Sequence, residues 1–180
     1  MNLVALGGSL REQSLSAAAL RASVEIAASL GANTQLLDLR LLDLPIYIPD
    51  LPIDAYHPDN QAKLLHFVKA VRDADVMLWA TPTYHGSMSG AFKNAIDYMQ
   101  MLAREPRPYL QGKAVGLIAV GDASPFTSMT SCVHELRAWL APTKVVLKSS
   151  DFSVDLKLSI DSAVRRTARL VNELVQFKGS

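Results

Sequence analysis

The chain has a single cysteine, Cys132, among 180 residues. One thiol forms no internal disulfide and cannot supply a cysteine-built zinc site, which fits a reducing cytoplasm. Charge of one sign is also missing. Lys and Arg number 18 against 17 Asp and Glu, so the chain has no field to recruit nucleic acid or an anionic membrane. The basic residues are scattered, with only Arg165 and Arg166 adjacent. No apolar run approaches the roughly 20 residues of a membrane span. Met1-Asn2-Leu3 leads directly into a strand pattern without a basic leader segment. His134-Glu135 lacks the second histidine of a zinc-protease helix, and Asp75, Asp122 and Asp151 form no pair suited to hydrolysis, so no metal site is expected. Internal repeats and low-complexity tracts are absent too. These absences leave one soluble domain, residues 1 to 180, expected in the cytoplasm with neither nucleic acid nor membrane as partner.

What is present alternates. Leu3 to Leu6, Val76 to Ala80, Val115 to Val120 and Val145 to Leu147 are continuously apolar, as strands buried on both faces are, and Thr34 to Leu39 is a weaker fifth. Segments of helical length and amphipathic pattern separate them: Ser14 to Leu30, Asp59 to Asp73, Ser87 to Ala103, Ser128 to Leu140 and Ser159 to Phe177. A β-α repeat of this kind demands right-handed crossovers and a parallel sheet covered on both faces. The expected fold is therefore α/β, a flavodoxin-like three-layer αβα sandwich with a five-stranded parallel sheet in the order 2-1-3-4-5. Its ligand crevice should lie at the carboxyl ends of strands 1 and 3. Leu39 to Pro58 breaks the rhythm with Pro45, Pro49, Pro52 and Pro58 among apolar residues. It reads either as a flap near the crevice or a subunit contact, or as a loop packed on its own domain.

Two loops carry the chemistry. Gly7-Gly8 followed by Ser9-Leu10-Arg11-Glu12-Gln13-Ser14-Leu15-Ser16 sits between the first strand and the first helix. Glycines allow a sharp turn, and the helix that follows directs unpaired N–H groups and its positive pole into it. Ser9, Ser14 and Ser16 add hydroxyl donors, and Arg11 adds a charge suited to a phosphate dianion. Ser9 and Ser14 also suit ordinary helix capping, but the joint presence of both glycines, Arg11 and three serines favours a phosphate. After the third strand come Pro82, Thr83, Tyr84, His85, Gly86 and Ser87, with flat side chains and free backbone donors for the edge of a heteroaromatic ring. Together the loops suit a mononucleotide with a large planar base, and FMN meets that description.

Gly8-Ser9-Leu10-Arg11 with Ser14, then Pro82, Tyr84, Gly86-Ser87 and Gly90-Ala91-Phe92-Lys93-Asn94-Ala95-Ile96-Asp97, resembles the NADPH-dependent FMN reductase family of quinone, azo-dye and chromate reductases. The resemblance implies that Ser9, Arg11, Ser14 and Ser16 hold the FMN phosphate and that Pro82, Thr83, Tyr84, His85 and Gly86 lie against the ring, with Ser87 and Gly121 completing the pocket. It implies FMN and NADPH (or NADH) as cofactors, hydride transfer to the flavin, and a small-molecule electron acceptor. The chain departs from the family pattern at three places: position 16, the pair 83 and 85, and the third loop. Ser16 stands where Asn is common, and Thr83 and His85 stand where Glu and Asn are frequent. Gly121-Asp122-Ala123-Ser124-Pro125-Phe126 replaces a frequent glycine pair, changing the pocket edge on the nicotinamide side.

No side chain is assigned a catalytic role, and His85 suits an incidental loop residue better than an acid. Lys93 and Asp97, four apart, suit a helix-surface pair. Met88, Met99 and Met101 suit packing or an interface, and Cys132 a small buried hydrophobe. Apolar excess in Leu44 to Ile53 and in the Ser87 to Met101 methionines points to a homodimer or homotetramer. A flavodoxin-type one-electron carrier is the alternative, although carriers of that kind are acidic and lack this arginine. A receiver-like signalling domain is set aside, because Gly7-Gly8-Ser9 occupy the strand end where its acidic cluster belongs.

Overall fold

A computed structural model describes residues 1 to 179. Five parallel strands, β1 (Asn2–Gly7), β2 (Asn33–Asp38), β3 (Val76–Pro82), β4 (Ala114–Val120) and β5 (Trp139–Leu147), form one sheet in the order β2-β1-β3-β4-β5. The period of two along each strand sends alternate residues to opposite faces. Leu3, Ala5, Val76 and Leu78 meet α1 (Leu15–Ser29) and α6 (Asp161–Val175) on one side. Val4, Leu6, Met77 and Trp79 meet α3 (Pro58–Asp73), α4 (Gly90–Asp97) and α5 (Pro125–Glu135) on the other. A one-turn helix, α2 (Leu39–Leu42), capped by Asp38, opens the proline-rich connection. The fold class and strand order are those expected from the sequence.

Three boundaries differ from expectation. The fourth helix begins at Gly90, because Ser89 caps it through Phe92 N–H (3.2 Å) and Ser87 is spent in a tight turn, and it tightens to 3-10 geometry over Tyr98–Leu102. The fifth begins earlier, with Pro125 at its first turn, where a missing N–H costs nothing. It stops at Glu135 because Arg137 takes a left-handed φ of 63°, after which the chain turns directly into β5 at Trp139. Trp139 and Leu140, expected at the end of that helix, instead open β5, which starts well ahead of the expected Val145 because this is an edge strand, where Pro142, Thr143 and Lys144 interrupt the apolar run.

Candidate functional site

The sheet brings the two motif loops together by register. Gly7 at the end of β1 lies opposite Ala80 of β3, so close that a Cβ on Gly7 would stand 1.9 Å from the Ala80 carbonyl oxygen. Only glycine fits there, and its φ of 144° lets the chain leave the sheet. Gly8 N–H then donates to the same Ala80 oxygen (3.1 Å), tying the first loop to the strand that feeds the second.

Beyond Gly8 the loop is folded by its own hydroxyls. Ser14 Oγ accepts from Ser9 N–H (3.1 Å) and, as the N-cap of α1, from Ala17 N–H (3.1 Å), while Ser9 Oγ accepts from Arg11 N–H (3.3 Å). Ser16 Oγ lies 3.1 Å from Ser14 Oγ, and Ser9, Ser14 and Ser16 are all buried. Capping does not use up these hydroxyls: oxygens that accept from the backbone keep their protons to donate. The Leu15 and Ser16 N–H groups, in the first turn of α1, have no intrahelical acceptor. No carboxylate occupies that turn to oppose an anion. Arg11 is exposed and belongs to none of the ion pairs among the described residues. A cradle of donors at a positive helix pole is the chemistry a phosphate requires.

The second loop is a two-residue reversal. Tyr84 N–H donates to Ser87 O (2.9 Å) and Ser87 N–H to Tyr84 O (3.0 Å), with His85 and Gly86 both at positive φ, 49° and 75°. That is a primed β-turn, for which His-Gly suffices because glycine carries the second central position and histidine tolerates the first. Tyr84, His85 and Gly86 are exposed, so the residues expected to face a ring stand at the open end of β3. Pro82 and Thr83 are half-buried behind them. Thr81, fully buried below, accepts from Ser89 N–H (3.0 Å) and fixes where α4 starts.

The third loop is fastened to the second. Thr83 Oγ1 accepts from Asp122 N–H (3.2 Å) and lies 3.3 Å from Asp122 O, to which it donates. Gly121 packs against that side chain. Asp122 in turn accepts from Ser124 N–H (2.8 Å), and the Ser124 side chain first, with that N–H beside it, holds its carboxyl below the usual carboxylate range. Ser87 Oγ is 3.1 Å from Ser128 Oγ on α5, a second tie across the same gap.

The proline-rich segment packs on its own domain. Leu44, Tyr47, Leu51 and Ile53 rest on the core, and Asn94 of α4 pins the segment by accepting from Tyr47 N–H (2.9 Å) and donating to Pro45 O (2.8 Å). Tyr98 adds a donor to the same carbonyl (3.2 Å). Ile46 and Ile48 remain exposed. The anchoring role of Asn94 was not visible in the sequence, since its partners lie 47 and 49 residues away. Lys93 and Asp97 form the expected surface pair, at 2.5 Å. Met88 and Met99 are core residues, whereas Cys132 is only half-buried, lining a cavity of about 270 Å³ with Tyr47, Lys93 and Glu135. Burial nevertheless pushes its thiol pKa up.

A donor-rich loop after β1, an exposed tight turn after β3 and a sheet of order 2-1-3-4-5 together are the layout of the αβα domains that bind mononucleotides. The chain belongs to the NADPH-dependent FMN reductase family, which it matches over residues 1–157. It is 32% identical over 119 residues to an FMN-dependent NADPH-azoreductase of Staphylococcus haemolyticus (strain JCSC1435), a match covering 62% of this chain and 60% of that protein. The chain thus spans less than two thirds of that relative's length. Its fold is similar to that of apo NADH:FMN oxidoreductase (EMOB), with a TM-score of 0.73, 20% identity and coverage of 97% of this chain and 88% of the other. The flavoenzyme NAD(P)H:(acceptor) oxidoreductase FerB from Paracoccus denitrificans is similar at the same TM-score and identity, covering 97% and 94%. No helix among the described residues is long and apolar enough to cross a membrane.

Proposed function

We propose that the chain is an NAD(P)H-dependent FMN oxidoreductase. The observation that carries this reading is the pairing of the two loops, joined at Gly8 N–H to Ala80 O, within a chain of the FMN reductase family. Ser9, Arg11, Ser14 and Ser16, with the Leu15 and Ser16 N–H groups, hold the phosphate. Pro82, Tyr84, His85, Gly86 and Ser87 face the ring, with Thr83 and Gly121 behind it. FMN supplies a centre that accepts hydride from a nicotinamide and passes electrons on. The protein's own contribution is orientation and polarity: the N–H groups of His85 and Gly86, exposed and not spent within the turn, are available to stabilise charge developing at the ring edge, as preorganised donors do. Nothing in the loops is needed as an acid or base.

The acceptor is a small molecule of the quinone, azo, metal-oxyanion or free-flavin kind, and the fold works in the cytoplasm, in keeping with its one half-buried thiol. Ile46, at 76% exposure, and Ile48, at 50%, give the loop an apolar face that a second copy would cover in a homodimer or homotetramer. The test is oxidation of NADPH and NADH by the FMN-loaded protein with menadione as acceptor. Turnover supports the reading. FMN binding without turnover by either nucleotide makes the protein a one-electron carrier instead.

A further inference from the structure

Parallel strands β3 and β4 stay in register up to Pro82 opposite Val120, and Thr83 N–H continues the ladder by donating to Val120 O (2.9 Å). There the backbone of β3 has to leave, because Tyr84 begins the tight turn. The Thr83 side chain takes over the next rung. Its hydroxyl accepts from Asp122 N–H, as a backbone carbonyl would in an uninterrupted ladder, and also donates to Asp122 O. Gly121 allows this closeness, since a Cβ there would stand 3.1 Å from Thr83 Oγ1 and 3.2 Å from Thr83 Cβ. Its own N–H is anchored to Leu147 O of β5 (2.8 Å), so the latch runs from the turn after β3 to the edge of the sheet.

We infer that Thr83 is a positioning residue for the ring site: its hydroxyl locks the Tyr84–Ser87 turn to the Gly121–Asp122 loop and so fixes where the His85 and Gly86 N–H groups point. This rests on the reading that the turn after β3 faces the flavin ring. Two of the departures from the family pattern, Thr83 and Gly121-Asp122, are then one feature, because they touch each other through the Thr83 side chain. A hydrogen bond of this kind shifts an equilibrium by about threefold to tenfold.

The test compares T83V, which keeps the shape and loses the hydroxyl, with T83S, which keeps the hydroxyl. Amide hydrogen exchange is followed at Tyr84, Ser87 and Asp122, and the ratio of affinities for reduced and oxidised FMN is obtained from the midpoint potential of the loaded protein. T83V should speed exchange at Tyr84 and Ser87 about tenfold and lower the affinity ratio by a similar factor, while T83S stays within about threefold of the parent on both. Unchanged exchange at Tyr84 and Ser87 in T83V overturns the coupling. Faster exchange with an unchanged affinity ratio overturns the positioning role. Should the unmodified protein bind no FMN at all, the proposed function fails by itself, and exchange alone still decides whether the loops are locked.

Discussion

Replacing Ser14 with alanine separates the building of the phosphate loop from its charge. The Ser14 oxygen accepts two backbone N–H groups, from Ser9 and from Ala17, and Ser14 is 3% exposed. Loss of an N-cap side chain costs about 1 kcal/mol, within a range of about 0.5 to 2. Ser9 is buried as well, so its N–H loses its acceptor at a cost of about 1 to 3 kcal/mol if water does not replace it. The sum is about 2 to 4 kcal/mol in the protein without any ligand. Urea unfolding followed by circular dichroism measures it, as a lower midpoint at unchanged slope. Binding of FMN should weaken too, because the first loop no longer holds its shape. A loss below about 0.5 kcal/mol, the level of an ordinary surface change, would refute the claim that Ser14 assembles the loop.

Arg11→Ala should behave in the opposite way: unfolding within about 0.5 kcal/mol of the parent, since Arg11 is exposed and in no ion pair among the described residues, but FMN affinity down at least about tenfold with riboflavin affinity unchanged, measured by fluorescence titration. Asn94→Ala leaves Tyr47 N–H without its acceptor and removes one donor from Pro45 O, so stability should fall by about 1 to 3 kcal/mol and limited proteolysis between residues 44 and 51 should quicken. Cys132 should react slowly with a thiol reagent at neutral pH, because burial first of all, with Asp97 and Glu135 adding to it against Lys93, favours its protonated form. The rate should rise as pH climbs past the ordinary thiol range, and fast, pH-independent labelling would contradict that burial.

The layers of the fold were legible because the central runs Leu3 to Leu6, Val76 to Ala80 and Val115 to Val120 lie in strands covered on both faces and carry no polar residue to interrupt them. The first part of the edge strand β5 was not, since Trp139, Pro142 and Lys144 are exposed and the apolar signal survives only from Val145. Local chemistry at the site was legible in the same way: Gly7, Gly8 and the three serines lie within ten residues of one another, and their joint pattern points to a helix-terminus anion site. Contacts that arise only from the topology were hidden. Thr83 meets Asp122 across 39 residues, and Asn94 meets Pro45 across 49. Thr83 was expected in the ring pocket, and nothing in the local sequence signals that its hydroxyl is spent on a neighbouring loop.

Anaerobic addition of NADPH, and separately NADH, to the FMN-loaded protein is the most direct test of the central claim, with the visible absorbance of the bound flavin as readout. The account predicts that at least one nucleotide bleaches the flavin band in proportion to the amount added, and that Arg11→Ala loses the effect together with FMN. Flavin that stays oxidised with both nucleotides yet bleaches with dithionite would contradict it.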